Sequence, residues 1–202
     1  MPLLANELEV ERCPQCQVAK PRLSRVWSTQ TSGHSGGGQR YWAAYLCASC
    51  GGVTLGEAPA SHLPASRILP EAYEAPSELP PKARAFLAQA ADSLHAPAGA
   101  VILAGSAVDA MLKAKNYSDG SLKARINAAV EAHLLTTEMG AWAHQVRLDS
   151  NDQRHADEAA ELPTEVDARH TLEFAKALAT YLFVLPSRVA EGLRSSQSTG
   201  GT

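Results

Sequence analysis

From residue 82 to about residue 190, apolar positions recur every three or four residues, the period of helices that bury one face. Before residue 57 the texture differs. Short β-prone runs, VWSTQ (26–30) and RYWAAYLC (40–47), flank TSGHSGGGQ, whose glycines and serines predict a flexible hairpin loop. Between these regions, prolines stand at 59, 64, 70, 76, 80 and 81. Prolines at that density forbid a long helix and predict an extended connector.

Breakers divide the helical region. KARAFLAQAADSLHA (82–96) predicts a first helix, stopped by Pro97, and AGAVILAGSAVDAMLKAKN (98–116) a second that is more apolar and therefore more buried. Gly120 suits a left-handed turn, and Ser121 caps a third helix, LKARINAAVEAHLL. Thr136 or Thr137 caps a fourth, running to about Asp152. Thr164 caps a fifth, VDARHTLEFAKALATYLFVL, with apolar residues at 172, 175, 178, 179, 182 and 185 and its end at Pro186. RSSQSTGGT is small and polar, as in a disordered tail. The expected organisation is a β module at 8–56, a connector at 57–81, a bundle of about five helices at 82–190 and a tail at 191–202. The fold class is mainly α.

Charge changes this picture little. Residues 1–56 carry five Lys/Arg against three Asp/Glu, whereas residues 80–190 carry eleven against thirteen. No broad basic field exists to attract nucleic acid over long range, so any RNA contact must be local. No stretch approaches 18 uninterrupted apolar residues, and MPLLANELEVERC lacks the basic start and apolar run of a secretory signal. A cytoplasmic protein with no membrane contact is expected.

The most specific chemistry lies in Cys13-Pro-Gln-Cys16 and Cys47-Ala-Ser-Cys50-Gly-Gly. Each pair puts two thiolates on one tight turn, and two such turns supply the four soft ligands of one closed tetrahedral Zn²⁺ site. Gly51 and Gly52 suit backbone NH approach to sulfur. A redox disulfide or an iron–sulfur cluster fits paired turns around a hairpin less well. A four-cysteine site has no open position for water, so the expected ion is structural. Arg25, Arg40 and Trp42, together with Arg22, Trp27 and Tyr41, lie on or beside the β runs. They are candidate nucleic-acid or partner contacts by charge and stacking. Alternatively, the aromatics simply pack the small module.

The other candidate is RLDSNDQRH (147–155). Four-residue steps advance 400°, so Arg147, Asn151 and His155 drift by only about 40° per step along one polar stripe, while about 12 Å of rise separates the first from the last. With the four-cysteine module, the connector beginning near RILPEAYE, the five helices and the closing YLFVLPSRV, this segment resembles bacterial "domain of unknown function 4145" proteins. These fall within the HEPN superfamily of helical nucleotide-binding domains. The resemblance implies a HEPN-like bundle that self-associates as a homodimer, linked to nucleic acid and to bacterial defence or toxin systems. Many HEPN domains are metal-independent ribonucleases. By that pattern His155 would be general acid or base, Arg147 would hold the phosphate, and Asn151 would complete the site.

The chain departs from the ribonuclease pattern. Seven residues separate Arg147 from His155, Leu148 follows the arginine where a polar residue is usual, and Ser150-Asn151 replaces the family's Gly-Asn step. Two readings therefore stand: an interaction module with an RNA or protein partner, and an RNA endonuclease. In the architectural version, Asp109 pairs with Arg147, Asn151 caps the fourth helix and His155 anchors the next turn. Arg154 is an alternative phosphate contact. Asp152, Asp157, Glu158 and Glu161 oppose strong attraction to RNA here. His133, His144 and His170 show no ligand spacing and read as ordinary helix histidines. SGHSGGG precedes no helix, which rejects a phosphate-binding loop.

Overall fold

Alternation in RYWAAYLC has a direct structural consequence: Tyr41, Ala43, Tyr45 and Cys47 are buried, while the residues between them face outward. In the computed structural model, which describes residues 1–155 and 161–199 (side chains at 154, 155 and 197–199 excepted), the chain forms two compact units. They span Met1–Tyr73 and Glu74–Thr202.

The first unit is a four-stranded antiparallel sheet in the order β1 (Leu23–Thr31), β2 (Arg40–Cys47), β3 (Val53–Ala58) and β4 (Arg67–Leu69). A bulge between Arg25 and Trp27 shifts the β1–β2 register and leaves Val26 exposed. The N-terminal segment crosses the inner face. Leu4 and Leu8 join Leu23, Tyr45, Ala58 and Ala65 in one core, and the Tyr45 hydroxyl donates to the Ala5 carbonyl at 3.0 Å. Proline density did not keep residues 57–81 out of the sheet. β4 pairs with β3 inside that stretch, and Ala65 belongs to the core, because a three-residue edge strand needs few backbone donors.

The second unit is helical: α1 (Pro81–Asp92), α2 (Pro97–Ala114), α3 (Leu122–Glu131), α4 (Thr137–His155) and α5 (Glu165–Ala179). Pro81 and Pro97 sit in the first turns of α1 and α2, where no donor is lost; Pro97 opens α2, while α1 ends at Asp92, short of the expected stop at Pro97. The polar starts behave as read. Gly120 has φ 68°, Ser121 Oγ accepts from the Ala124 amide, Thr136 Oγ1 accepts from the Met139 amide, and Thr164 forms a capping box with Asp167.

The C-terminal end differs from expectation. After Ala179 the chain widens into a π-helical turn, Thr180–Val184, and continues as α6 (Leu185–Thr199). The Leu185 amide bonds to the Thr180 carbonyl, five residues back, and this wider turn accommodates the Pro186 ring that would otherwise break the helix. The stretch expected to be a disordered tail is thus helical as far as Thr199.

Helix α2 occupies the centre and packs against α1, α4 and α5. By length and composition it could cross a membrane, but its buried residues (Val101, Ala104, Ala107, Val108, Met111 and Leu112 among them) form the core of the helical unit. Its small residues allow close approach. A Cβ on Gly105 would meet Ser150 Oγ at 2.5 Å and Ser150 Cβ at 2.7 Å, so α2 and α4 touch nearly backbone to backbone. Gly105→Ala is expected to lower stability by about 1–3 kcal/mol through overpacking. The intrinsic helix preference for alanine, about 1 kcal/mol, only partly offsets this. Urea denaturation checks it, and adding Ser150→Gly should recover most of the loss.

Candidate metal centre and the polar seam of the helical unit

The two cysteine turns are built alike although their sequences differ. The Gln17 amide bonds to the Cys13 carbonyl at 2.9 Å, and the Gly51 amide to the Cys47 carbonyl at 2.9 Å. The Cys13 amide bonds to the Val18 carbonyl at 3.0 Å, and the Cys47 amide to the Gly52 carbonyl at 3.0 Å. The residue after each pair is left-handed: Gln17 at φ 62° and Gly51 at φ 71°. Amides also reach sulfur, from Gln15 to Cys13 Sγ and from Gly52 to Cys50 Sγ, both at 3.4 Å. Gly52 has no room for a side chain, since a Cβ would meet Gln15 Cγ at 2.7 Å and Cys50 Sγ at 3.2 Å.

These turns bring the sulfurs of Cys13, Cys16, Cys47 and Cys50 to within 4.8 Å of one another, and none is in a disulfide. Three of the four residues are buried and Cys50 is exposed. Neighbouring sulfurs around a tetrahedral ion with bonds of about 2.3 Å lie roughly 3.8 Å apart, which small side-chain rotations reach from here. The cluster can therefore hold a metal ion, and its all-thiol donor set suits zinc. Burial pushes the Cys16 thiol up to about 12, and hydrogen bonds with Cys50 and Cys13 add to the rise. Burial also acts upward on Cys47, but the amides of Cys50 and Ser49 and the neighbouring thiols outweigh it and bring Cys47 down to about 7. Backbone amides and the thiols of Cys13 and Cys50 thus favour the thiolate at Cys47, while burial opposes it at Cys16. A coordinated cation deprotonates its thiols outright, so binding releases protons.

The sheet-side arginines of the first unit have partners within it. Arg25 donates to Tyr41 Oη at 3.0 Å and to Asn6 Oδ1 at 2.5 Å, Arg40 lies 3.4 Å from Glu57, and Arg22 pairs with Glu7. Trp42 donates its indole NH to Thr31 Oγ1 at 3.0 Å, Tyr41 is buried, and Trp27 is half exposed.

In the helical unit the expected Asp109–Arg147 pair is absent. Asp109 instead takes Arg125 Nη1 at 2.6 Å and Lys113 Nζ at 2.5 Å, because α3 brings Arg125 across α2 while Lys113 lies one turn along it. The same guanidinium donates to the carbonyls of Ser118 and Gly120, fastening the α2–α3 turn. Asn151 caps nothing, since α4 continues to His155. Arg147 and Asn151 do come together, bordering a cleft with Ser121, Leu122, Lys123 and Ser150. The side chains of Arg154 and His155 lie outside the described residues, as do Asp157 and Glu158.

Sequence reasoning passed over His144, Asn127 and Lys123. His144 Nε2 lies 2.8 Å from Asn127 Oδ1. Burial, and then the charges of Arg147 and Lys123, hold its imidazole below the usual histidine range, so it is neutral at pH 7. A lysine two residues after a predicted cap, where it opposes the helix dipole, was the available signal.

Two outcomes are expected. Arg125→Ala should cost about 2 kcal/mol or more in urea unfolding, since it leaves Asp109 short of a partner and strands two carbonyls. Mass spectrometry under native conditions should find one zinc ion per chain. Cys47→Ser should lose that ion and the amide dispersion of β1–β3, because closed sites supply folding energy directly.

No curated protein and no solved structure matches the chain. A family model, described as "Domain of unknown function (DUF4145)", matches residues 87–196, more than half of the chain and nearly all of the helical unit. The chain, a four-cysteine module followed by these helices, belongs to the DUF4145 family.

Proposed function

We propose that this protein is an interaction module, a zinc-stabilised ribbon joined to a HEPN-like helical bundle that binds RNA at a local site without cleaving it. The observation that carries this reading is the unbroken course of α4 to His155. Eight helical steps, with seven residues between, carry the chain from Arg147 to His155 over about 12 Å of rise, too far for one chain to form a compact arginine–histidine pair. The four sulfurs fill a tetrahedral ion's coordination, so no metal-bound water serves as nucleophile. With Arg25, Arg40 and Arg22 bonded to their own neighbours, contact with a polyanion falls to the helical unit.

Self-association fits α6. Leu185, Val189 and Leu193 repeat every fourth residue along it and remain 46%, 61% and 59% exposed. That spacing makes one apolar stripe, which a second copy would cover. The second reading is ribonuclease action, favoured by Arg147 and Asn151 sharing one cleft. In a dimer, His155 of the second chain would then supply the acid or base.

Labelled structured RNA, mixed with metal-loaded protein of known oligomeric state, tests both readings. Binding without cleavage is expected. With two cations, Lys123 and Arg147, in contact, the affinity should fall with salt at a log–log slope between about −1.4 for a single-stranded segment and about −1.8 for a duplex. Cleavage to cyclic-phosphate ends that His155→Ala abolishes, with folding intact, would establish the ribonuclease instead.

A further inference from the structure

We propose that the cleft between the first turn of α3 and the C-terminal part of α4 is a seat for one phosphate group of a larger ligand, held by Lys123, Arg147 and the backbone amides that open α3. The proposal deepens the RNA reading and rests on it only for what carries the phosphate.

Four observations converge. First, six residues line the cleft (Ser121, Leu122, Lys123, Arg147, Ser150 and Asn151), and none is acidic. Second, neither Lys123 nor Arg147 forms an ion pair among the described residues, and both charges act on the same neighbour, His144. Two cations that line one cleft repel each other, and an anion bound between them attracts both. Third, Arg147 Nε is buried with no hydrogen-bond partner, which is costly for a charged group. Fourth, α3 is ten residues long with no acid in its first turn, and it carries Lys123 there against its own dipole. The Ser121 hydroxyl satisfies only the Ala124 amide, leaving those of Leu122 and Lys123 beside the cleft. An anion at this point answers the orphan donors, the dipole and the unpaired charges together.

The neighbouring cation shows that this arrangement is local. Arg125, two residues further along α3, is fully occupied by Asp109, Ser118 and Gly120. The acids of α4 lie elsewhere as well. Asp149 and Asp152 line a separate cavity with Asp167 and Glu161. Across α4 the polarity therefore changes from cationic toward α3 to acidic toward α5.

Size indicates the ligand. The cleft holds about 190 Å³. That is several times a water's share of roughly 30 Å³, yet below the ~300 Å³ at which pockets enclosing whole small molecules begin. It admits a tetrahedral oxyanion and leaves the rest of the ligand outside. Two sources offer that chemistry: a diester in a nucleic-acid strand and the terminal monoester of a nucleotide.

The test is an amide NMR titration of the full-length, metal-loaded protein with inorganic phosphate at constant ionic strength. Saturable shifts are expected at Leu122, Lys123 and the Arg147 side-chain NH. Lys123→Gln and Arg147→Gln should each weaken binding about tenfold or more. In phosphate-free chloride buffer Lys123→Gln should raise Tm, because it removes a repulsion. A merely structural lysine would lower it. No saturable shift at Leu122 and Lys123 overturns the proposal, as does a Lys123→Gln protein that is less stable and titrates like the parent. Displacement of phosphate by a short single-stranded RNA assigns the diester. Displacement by a nucleoside monophosphate but not by RNA keeps the seat and refutes the RNA reading. RNA that binds without moving these resonances refutes the seat and keeps that reading.

Discussion

The position of α4 depends on one close approach, Gly105 of α2 against Ser150 of α4. No larger residue than glycine fits there, and the contact sets how deeply α4 sinks beside the central helix. Because Arg147 and Asn151 flank Ser150 along α4, the same contact determines that their side chains meet the opening turn of α3. Packing between two small residues thus helps to place Arg147 beside Lys123. Alanine-rich α2 serves the same end, since small side chains let three helices close around it.

In the N-terminal unit the corresponding constraint is chemical. Its core is thin, built from Leu4, Leu8, Leu23, two tyrosines and small residues. A single core in a unit of this size rarely supplies more than about 3–5 kcal/mol. Two backbone turns of the same hydrogen-bonding pattern bring four sulfurs within 4.8 Å of one another, a cluster that can hold a metal ion and so tie together what the apolar core leaves loose. The ribbon's arginines and Trp42 follow the same economy: each is tied to a neighbour within the unit, which leaves little free charge on the sheet.

Charge in the helical unit is sorted by geometry rather than by amount. The region is slightly acidic by count, which argues against a polyanion ligand if charge is averaged. The fold does not average it. Asp109 is consumed by Arg125 and Lys113, Asp149 and Asp152 turn toward α5, and Lys123 and Arg147 are left together beside a neutral His144. A small net charge thereby coexists with a locally cationic cleft.

Local rules alone determined much of this protein. Cysteine spacing specified the two turns, alternation specified β2, and Ser121, Thr136 and Thr164 marked helix starts, because caps, turns and periodicity act over a few residues. Where several residues satisfy one rule, or a distant group answers it, the sequence was silent. Pro186 predicted a helix end, but a π-helical turn made room for it. Prolines predicted only an extended connector over 57–81, yet a short edge strand forms at Arg67–Leu69 within it. Asp109 had several arginines within plausible reach, and only the placement of α3 selected Arg125 over Arg147. Ion pairs, clefts and orphaned donors depend on distances between residues far apart in the chain, and those distances exist only once the helices have packed.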